Sequence, residues 1–203
     1  MEYFWYRPTA NTQAYFDLKT DFTDKSWNGR NATVNGWSIT SKWVAYSSIS
    51  NSTFQFSCPW VATRTIAVWV KYNGGSASNW RNISWVGWQS NWYYHGMFIA
   101  NTSRWDLTIQ DWKDAVSNVG IDNNRHLLVG VFSSWNSKLY LDKTLIATNT
   151  NWIRTGNNTG WLFSKWWNEA FIWYIGEIII EEWNWSESQI TDYYDKVKKN
   201  YTN

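Results

Sequence analysis

The chain has 203 residues, 44% hydrophobic and 17% charged, with 18 Lys and Arg against 16 Asp and Glu for a net charge of +2. That length supports one substantial core, and 20 Trp, 12 Tyr and 9 Phe exclude a disordered chain. No basic run exceeds Lys198-Lys199, so the cationic footprint of a nucleic-acid-binding protein is missing and no nucleic-acid partner is expected. The longest apolar stretch, Tyr174 to Ile180, is too short to span a bilayer and is broken by Gly176 and Glu177, so no membrane insertion is expected. No charged-then-apolar leader follows Met1, so any signal peptide is expected to have been removed or to lie outside this chain. The single Cys58 excludes an internal disulfide and reads as a small buried hydrophobe.

In chain order, the pattern predicts short strands at Ala14–Leu18, Ala32–Val34 and Thr53–Ser57. A longer strand follows at Arg64–Tyr72, with Ile66, Val68 and Val70 on one face and Ala67, Trp69 and Lys71 on the other. Ile83–Val86, Tyr93–Ala100 and Asp106–Gln110 come next, and then His126–Phe132, whose continuous apolar run suits a strand buried on both faces. Lys138–Asp142 and Thr144–Ala147 are joined by Asp142-Lys143 and read as a tight hairpin. Trp161–Phe163 and Tyr174–Glu181 complete the strands. Between them lie turn-rich clusters at Asn73–Asn79, Asp122–Asn124, Ser133–Ser137 and Thr148–Asn158. Only the tail reads as helix, over about residues 187–200. Ser186-Glu-Ser-Gln189 fits a capping box, and Ile190, Tyr193, Tyr194, Val197 and Tyr201 recur on one helical face. No internal repeat or linker interrupts the pattern, so residues 1–203 are read as one domain.

Four pieces of this order carry a resemblance. They are Tyr15-Phe-Asp-Leu18 with Asp24-Lys-Ser-Trp-Asn-Gly-Arg-Asn-Ala-Thr-Val34; the strand Arg64–Lys71; Asn124–Phe132 with Lys138-Leu-Tyr-Leu-Asp142; and Phe171–Glu182 followed by Asn184–Ile190. In this order the chain resembles the laminin-G-like domains of the concanavalin A-like lectin/glucanase superfamily. The resemblance implies an all-β fold, a two-sheet antiparallel jelly-roll sandwich with a short C-terminal helix. It also implies a function drawn from sugar-binding lectins, protein-binding adhesion modules, glycosidases or accessory domains of surface proteins and tail fibres. Fold alone does not choose among these.

The glycosidase branch of that superfamily uses a Glu-x-Asp-x-x-Glu strand. Here the nearest segment is Glu177-Ile-Ile-Ile-Glu181-Glu182, with Ile179 at the helper position and roughly 13 Å of rise between Glu177 and Glu181. Paired catalytic carboxyls lie about 5 to 9.5 Å apart, so no enzyme is expected, and these glutamates read as edge-strand or solvent-facing. His126 falls on a structural histidine position of the superfamily and is read as packed at a strand start; His95 is read as a surface residue. Calcium is the one cofactor left open, with Asp111 and Asp114 as candidate ligands; these and the Asp21/Asp24 pair suit turns equally well. Sugars stack on aromatic rings while amides take their hydroxyls, so the candidate ligand residues are Trp85, Trp88, Trp92, Tyr93, Tyr94, His95, Trp112, Trp166, Trp167 and Asn168.

Against that reading stands the imbalance of 20 Trp with 11 Gly. Trp27, Trp37, Trp135, Trp152 and Trp173 fall in or beside turns that ask for glycine, as they would if UGA codons read as glycine in the source were translated as Trp. Trp69, on a clear strand, reads as core. The functional expectation is a non-enzymatic carbohydrate-binding module of a surface or secreted protein, outside the cell or on a cell or virion surface. The partner is a glycan; the alternative is a protein-binding adhesion or structural module of a larger surface protein or phage tail fibre, with a surface protein as its partner.

Overall fold

The computed structural model describes residues 5–40, 45–47, 53–59, 61–72, 81–88, 93–100, 104–109, 113–120, 122–151, 159–162 and 173–201. Within them the chain forms fifteen strands, one α-helix and a closing 3-10 turn. The first sheet runs in the order β13 (Thr144–Asn149), β12 (Ser137–Leu141), β11 (Arg125–Phe132), β6 (Arg64–Tyr72), β15 (Trp173–Glu181), β4 (Ala45–Ser47), β3 (Trp37–Ile39). β1 (Thr12–Phe16) also pairs with β15, beyond the stretch taken by β4. The second sheet runs β10 (Lys113–Gly120), β9 (Arg104–Ile109), β8 (Tyr93–Ala100), β7 (Arg81–Trp88), β14 (Thr159–Leu162), β5 (Thr53–Ser57), β2 (Thr33–Asn35). The strand pairs of both sheets are antiparallel. The two-sheet sandwich expected from the sequence is therefore present.

The core between the sheets contains Phe16, Phe54, Phe56, Ile66, Val68, Val70, Met97, Leu128, Phe132, Leu139, Ile175, Ile178 and Ile180. Phe16 meets Phe54 and Phe56 edge-on, with ring centroids 5.0 and 5.3 Å apart, the geometry aromatic quadrupoles favour. Ile66, Val68 and Val70 point inward from β6, as the alternation predicts. Its other face is buried as well: Ala67 and Trp69 join Leu127, Val129, Tyr140 and Ile179 in a second apolar layer outside the first sheet. Helix α1 (Glu187–Val197) covers that layer with Ile190, Tyr193 and Val197, and Tyr201 follows from beyond the 3-10 turn Lys198–Asn200. Trp69 stacks on Tyr201 at 4.7 Å and on Tyr194 at 5.7 Å. Its packing against the C-terminal segment, rather than between sheets, explains why α1 is needed.

Three strands escaped the sequence reading. Trp37–Ile39 and Ala45–Ser47 have three residues each, too few for an alternation to register. Lys113–Gly120 is an edge strand held to β9, and its polar sequence shows no apolar period. Trp37, read as a turn residue, is instead buried in the inter-sheet core. Cys58 is buried, as expected.

The glutamates of β15 require a larger correction. β15 is an interior strand, flanked by β6 on one side and by β1 and β4 on the other. Glu177 and Glu181 are buried within it. The register against β6 shifts between Ile175 and Ile178, a bulge that includes Gly176 and Glu177. The bulge lets Ile175, Ile178 and Ile180 all face the core and turns Glu177 into the outer layer. There its carboxylate accepts hydrogen bonds from Tyr193 Oη (2.6 Å) and Tyr15 Oη (3.3 Å). The Glu177 N–H donates to Tyr201 Oη at 2.9 Å. Glu181 accepts from Thr12 Oγ1 at 2.7 Å and from Tyr6 Oη.

Burial pushes both carboxyls up from an ordinary 4.5 to about 7. A folded value above the unfolded one means that the folded chain holds extra protons between pH 4.5 and 7. This contribution to stability is full below about pH 4.5 and lost as pH rises through 7. Urea unfolding at stepped pH is expected to show stability falling across that window. Glu177→Gln should reduce the slope, matching the parent near pH 4.5 and exceeding it near pH 8. A second check concerns Gly176, where a Cβ would lie 2.6 Å from Tyr201 Cζ and 2.8 Å from its Oη. That ring is fixed by Trp69 and by the Glu177 N–H, so Gly176→Ala is expected to cost about 1–3 kcal/mol in the same assay.

Candidate functional site

The aromatic and calcium candidates read from the sequence fall mostly beyond description. Trp92, Trp112, Trp166, Trp167, Asn168 and Asp111 lie outside the described residues. Trp85 and Trp88 on β7, Tyr93, Tyr94 and His95 on β8, and Asp114 on β10 are described as backbone alone. The β7–β8 register sets Trp88 opposite Tyr93 and Val86 opposite His95. These positions thus share one hairpin of the second sheet, although alternation assigns consecutive residues to opposite faces. Among the described residues no group of three His, Cys, Asp or Glu is arranged to hold a metal.

The side chains that are described gather elsewhere, on the outer side of the first sheet. A cleft of about 470 Å³ lies between the β11–β12 hairpin and the start of α1. Val131, Ser133, Asn136, Lys138 and Tyr140 line one side; Asn184, Trp185, Ser186, Glu187 and Ser188 line the other. The hairpin wall exists because β11 and β12 pair along Leu128–Val131 and Leu141–Lys138. The opposite wall is pinned to the first residues of β6. Thr65 Oγ1 donates to the Trp183 carbonyl (2.7 Å) and accepts from the Trp185 N–H (2.9 Å). Trp185 then packs edge-on against Tyr193, 5.4 Å between centroids.

The helix start is held by the capping box expected from the sequence. Ser186 Oγ accepts from the Gln189 N–H (3.3 Å), and Gln189 Oε1 accepts from the Ser186 N–H (2.9 Å). Across the cleft, Tyr140 Oη donates to Glu187 Oε1 (3.1 Å), which also lies 3.7 Å from Lys138 Nζ. The proximity of this carboxylate, after burial, raises the Tyr140 phenol to about 12, so it is a permanent donor at neutral pH. Val131, Tyr140 and Trp185 are buried and make an apolar floor, while Asn136, Asn184, Ser186, Glu187 and Ser188 are exposed around it. The arrangement offers an apolar base with amides, hydroxyls, one ammonium and one carboxylate above it. It brings together no pair of carboxyls for acid–base work.

Sequence reasoning did not find this cleft. Its partial signals were the Ser133–Ser137 turn cluster and the capping box, read separately because 48 residues of chain lie between them.

His126 stands at a strand start, as read, and what packs it there is a pair of carboxylates, with Nδ1 3.0 Å from Asp142 Oδ2 and Nε2 2.8 Å from Asp122 Oδ1. The Asp142 contact foremost, with Asp122 behind it, holds the imidazole above its ordinary value. Asp24 takes a turn role: its carboxylate accepts from the N–H groups of Tyr15, Ser26 and Arg30.

No family model matches the chain, and no curated protein matches it. Solved structures do. The Trypanosoma rangeli sialidase superposes with a TM-score of 0.76 at 10% identity, over 97% of this chain and 34% of the sialidase chain. The binding domain of botulinum neurotoxin DC, solved in complex with rat synaptotagmin II, superposes with a TM-score of 0.73 at 12% identity, over 92% of this chain and 52% of that one. A structure of botulinum neurotoxin type C, whose cell entry is described as dependent on two ganglioside molecules, gives 0.69 at 13% identity, over 92% and 51%. With the two-sheet topology on the page, these superpositions decide the architecture. The fold is the concanavalin A-like jelly roll. This jelly roll spans about half, or a third, of the chains it matches, so it corresponds to one unit within them.

Removing the cap tests the wall on its own. Ser186→Ala is expected to cost about 1 kcal/mol, read as a Tm lower by roughly 2–4 °C, with the far-UV spectrum unchanged.

Proposed function

We propose that this jelly roll is a non-enzymatic carbohydrate-recognition module of a surface or secreted protein, with the cleft between the β11–β12 hairpin and α1 as its glycan site. One observation carries the reading: exposed Asn136, Asn184, Ser188 and Glu187 and the half-buried Lys138 surround a floor of Tyr140 and Trp185. A pyranose presents an apolar face and a ring of hydroxyls, and that pairing is what an aromatic floor with an amide rim accommodates. Two of the superposing proteins are described with sugar ligands: the sialidase in complex with sialic acid and the type C neurotoxin with gangliosides. The placement of the β15 glutamates supports the non-enzymatic part of the reading. Glu177 and Glu181, the closest approach to the glucanase strand motif, are engaged by Tyr193, Tyr15, Thr12 and Tyr6 beneath the helix, away from the cleft.

The rival is a protein-contacting adhesion module, which the DC neurotoxin domain with its bound synaptotagmin favours. A glycan array run with and without calcium separates the two. Saturable binding to a sugar is the expected result, with Asn136→Ala/Asn184→Ala weakening it at least about tenfold through two lost hydrogen bonds. A blank array in both conditions rejects the lectin reading in favour of the rival, and turnover of a β-glucan rejects both.

A further inference from the structure

Three described residues other than glycine have a positive φ: Leu18 (51°), Trp135 (67°) and Asp142 (57°). That region crowds any Cβ against the backbone, so a bulky residue stays there only if something offsets the strain. Leu18 is fully buried in the inter-sheet core. Asp142 accepts from the Leu127 N–H (3.0 Å) and holds His126 (3.0 Å). Trp135 has no comparable return, because its side chain is 64% exposed at the tip of the β11–β12 connection.

The turn itself imposes the conformation. The Trp135 N–H donates to the Asn151 carbonyl (3.0 Å), and the Asn136 N–H donates to the Ser133 carbonyl (3.2 Å). Ser137 Oγ accepts from the Ser133 N–H (3.0 Å) and donates to the Ser133 carbonyl (2.9 Å). All of these bonds would survive with no side chain at position 135. The loop around Trp27, where φ is not positive, is likewise closed by bonds that do not use the ring. Asp24 accepts from Tyr15, Ser26 and Arg30 at 2.7–2.9 Å, and Asn28 Nδ2 donates to the Thr12 carbonyl at 2.7 Å. Everything around position 27 is tied down, yet the Trp27 ring is 83% exposed. By contrast Trp69 and Trp185 are 2% and 7% exposed, the first stacked on Tyr201 and the second edge-on against Tyr193.

We infer that positions 27 and 135 are glycine in the protein as its source organism makes it, encoded by UGA codons that this organism reads as glycine. The chain thus holds two classes of tryptophan. One, including Trp69 and Trp185, is built into the outer layer; the other stands on turns whose backbone asks for no side chain. The inference is independent of the glycan reading, since neither Trp27 nor Trp135 lines the cleft.

The coding DNA and the mass of two tryptic peptides, Ser26–Arg30 and His126–Lys138, from protein isolated from its own source test it. UGA at positions 27 and 135, UGG at Trp69, and glycine masses for both peptides are expected. UGG at either turn position, a tryptophan mass in either peptide, or UGA at Trp69 as well overturns it. In the recombinant chain, Trp135→Gly should raise Tm by roughly 3–6 °C, and Trp135→Ala by clearly less, because alanine keeps the Cβ. Equal shifts in the two variants would remove its structural basis.

Discussion

The bulge in β15 and the buried carboxylate it displays hold the molecule's outer half in place. A regular strand would put Ile175 and Glu177 on the same face. The shift at Gly176-Glu177 separates them, so the isoleucines stay inside while Glu177 enters the layer beneath α1. A carboxylate in that position is tolerable only with hydrogen-bond donors around it, since its desolvation costs more than any single contact returns. The donors come from both ends of the chain: Tyr15 from β1, and Tyr193 from α1. Tyr201 completes the set by accepting the Glu177 N–H. Glu181 repeats the device two pleat repeats further on, with Tyr6 and Thr12. N-terminal segment, interior strand and C-terminal helix are thereby joined at one place.

The same arrangement builds the cleft. With Tyr193 and Tyr201 committed to β15, α1 can lie only along the outer face of β6 and β11, and its first turn must then face the β11–β12 hairpin. Thr65 fixes the approach of the chain through Trp183 and Trp185, and the capping box fixes where the helix begins. The floor residues Tyr140 and Trp185 thus belong to the same apolar layer that Trp69, Ile179 and Val197 complete. The polar rim rests on a surface whose rigidity comes from the outer core, so the cleft should keep its shape.

Much of this fold could be read from the sequence because its information is local. Alternation placed Arg64–Tyr72, and the Ser186/Gln189 pair placed the helix start. The apolar run before Phe132 marked a strand buried on both faces. The bulge could not be read, because Glu177 has the same neighbours in sequence whether it faces solvent or three tyrosines. Those tyrosines lie 16, 24 and 162 residues away. The pairing of His126 with Asp122 and Asp142 was hidden for a related reason: a histidine at a strand start gives no sign of which loops will come beside it. The candidate site was less legible still. The aromatic candidates of the sequence lie outside the described side chains, and the described cleft draws on hydroxyls and amides whose local signal is that of turns and caps.

Tryptophan density alone does not mark a site, because the residue plays opposite parts in this chain. Trp69 is paired across β6 and β11 with Leu127 and stacked on Tyr201, so its large apolar surface is used in full. Trp135 and Trp27 expose theirs to water from turns that are already closed by backbone and carboxylate hydrogen bonds. Composition adds these together, and only burial and φ separate them. Once they are separated, Trp185 and Tyr140 stand with Trp69 as aromatics that the outer layer needs. Both are buried at the edge of that layer, and the cleft opens over the polar groups around them rather than over a free ring face.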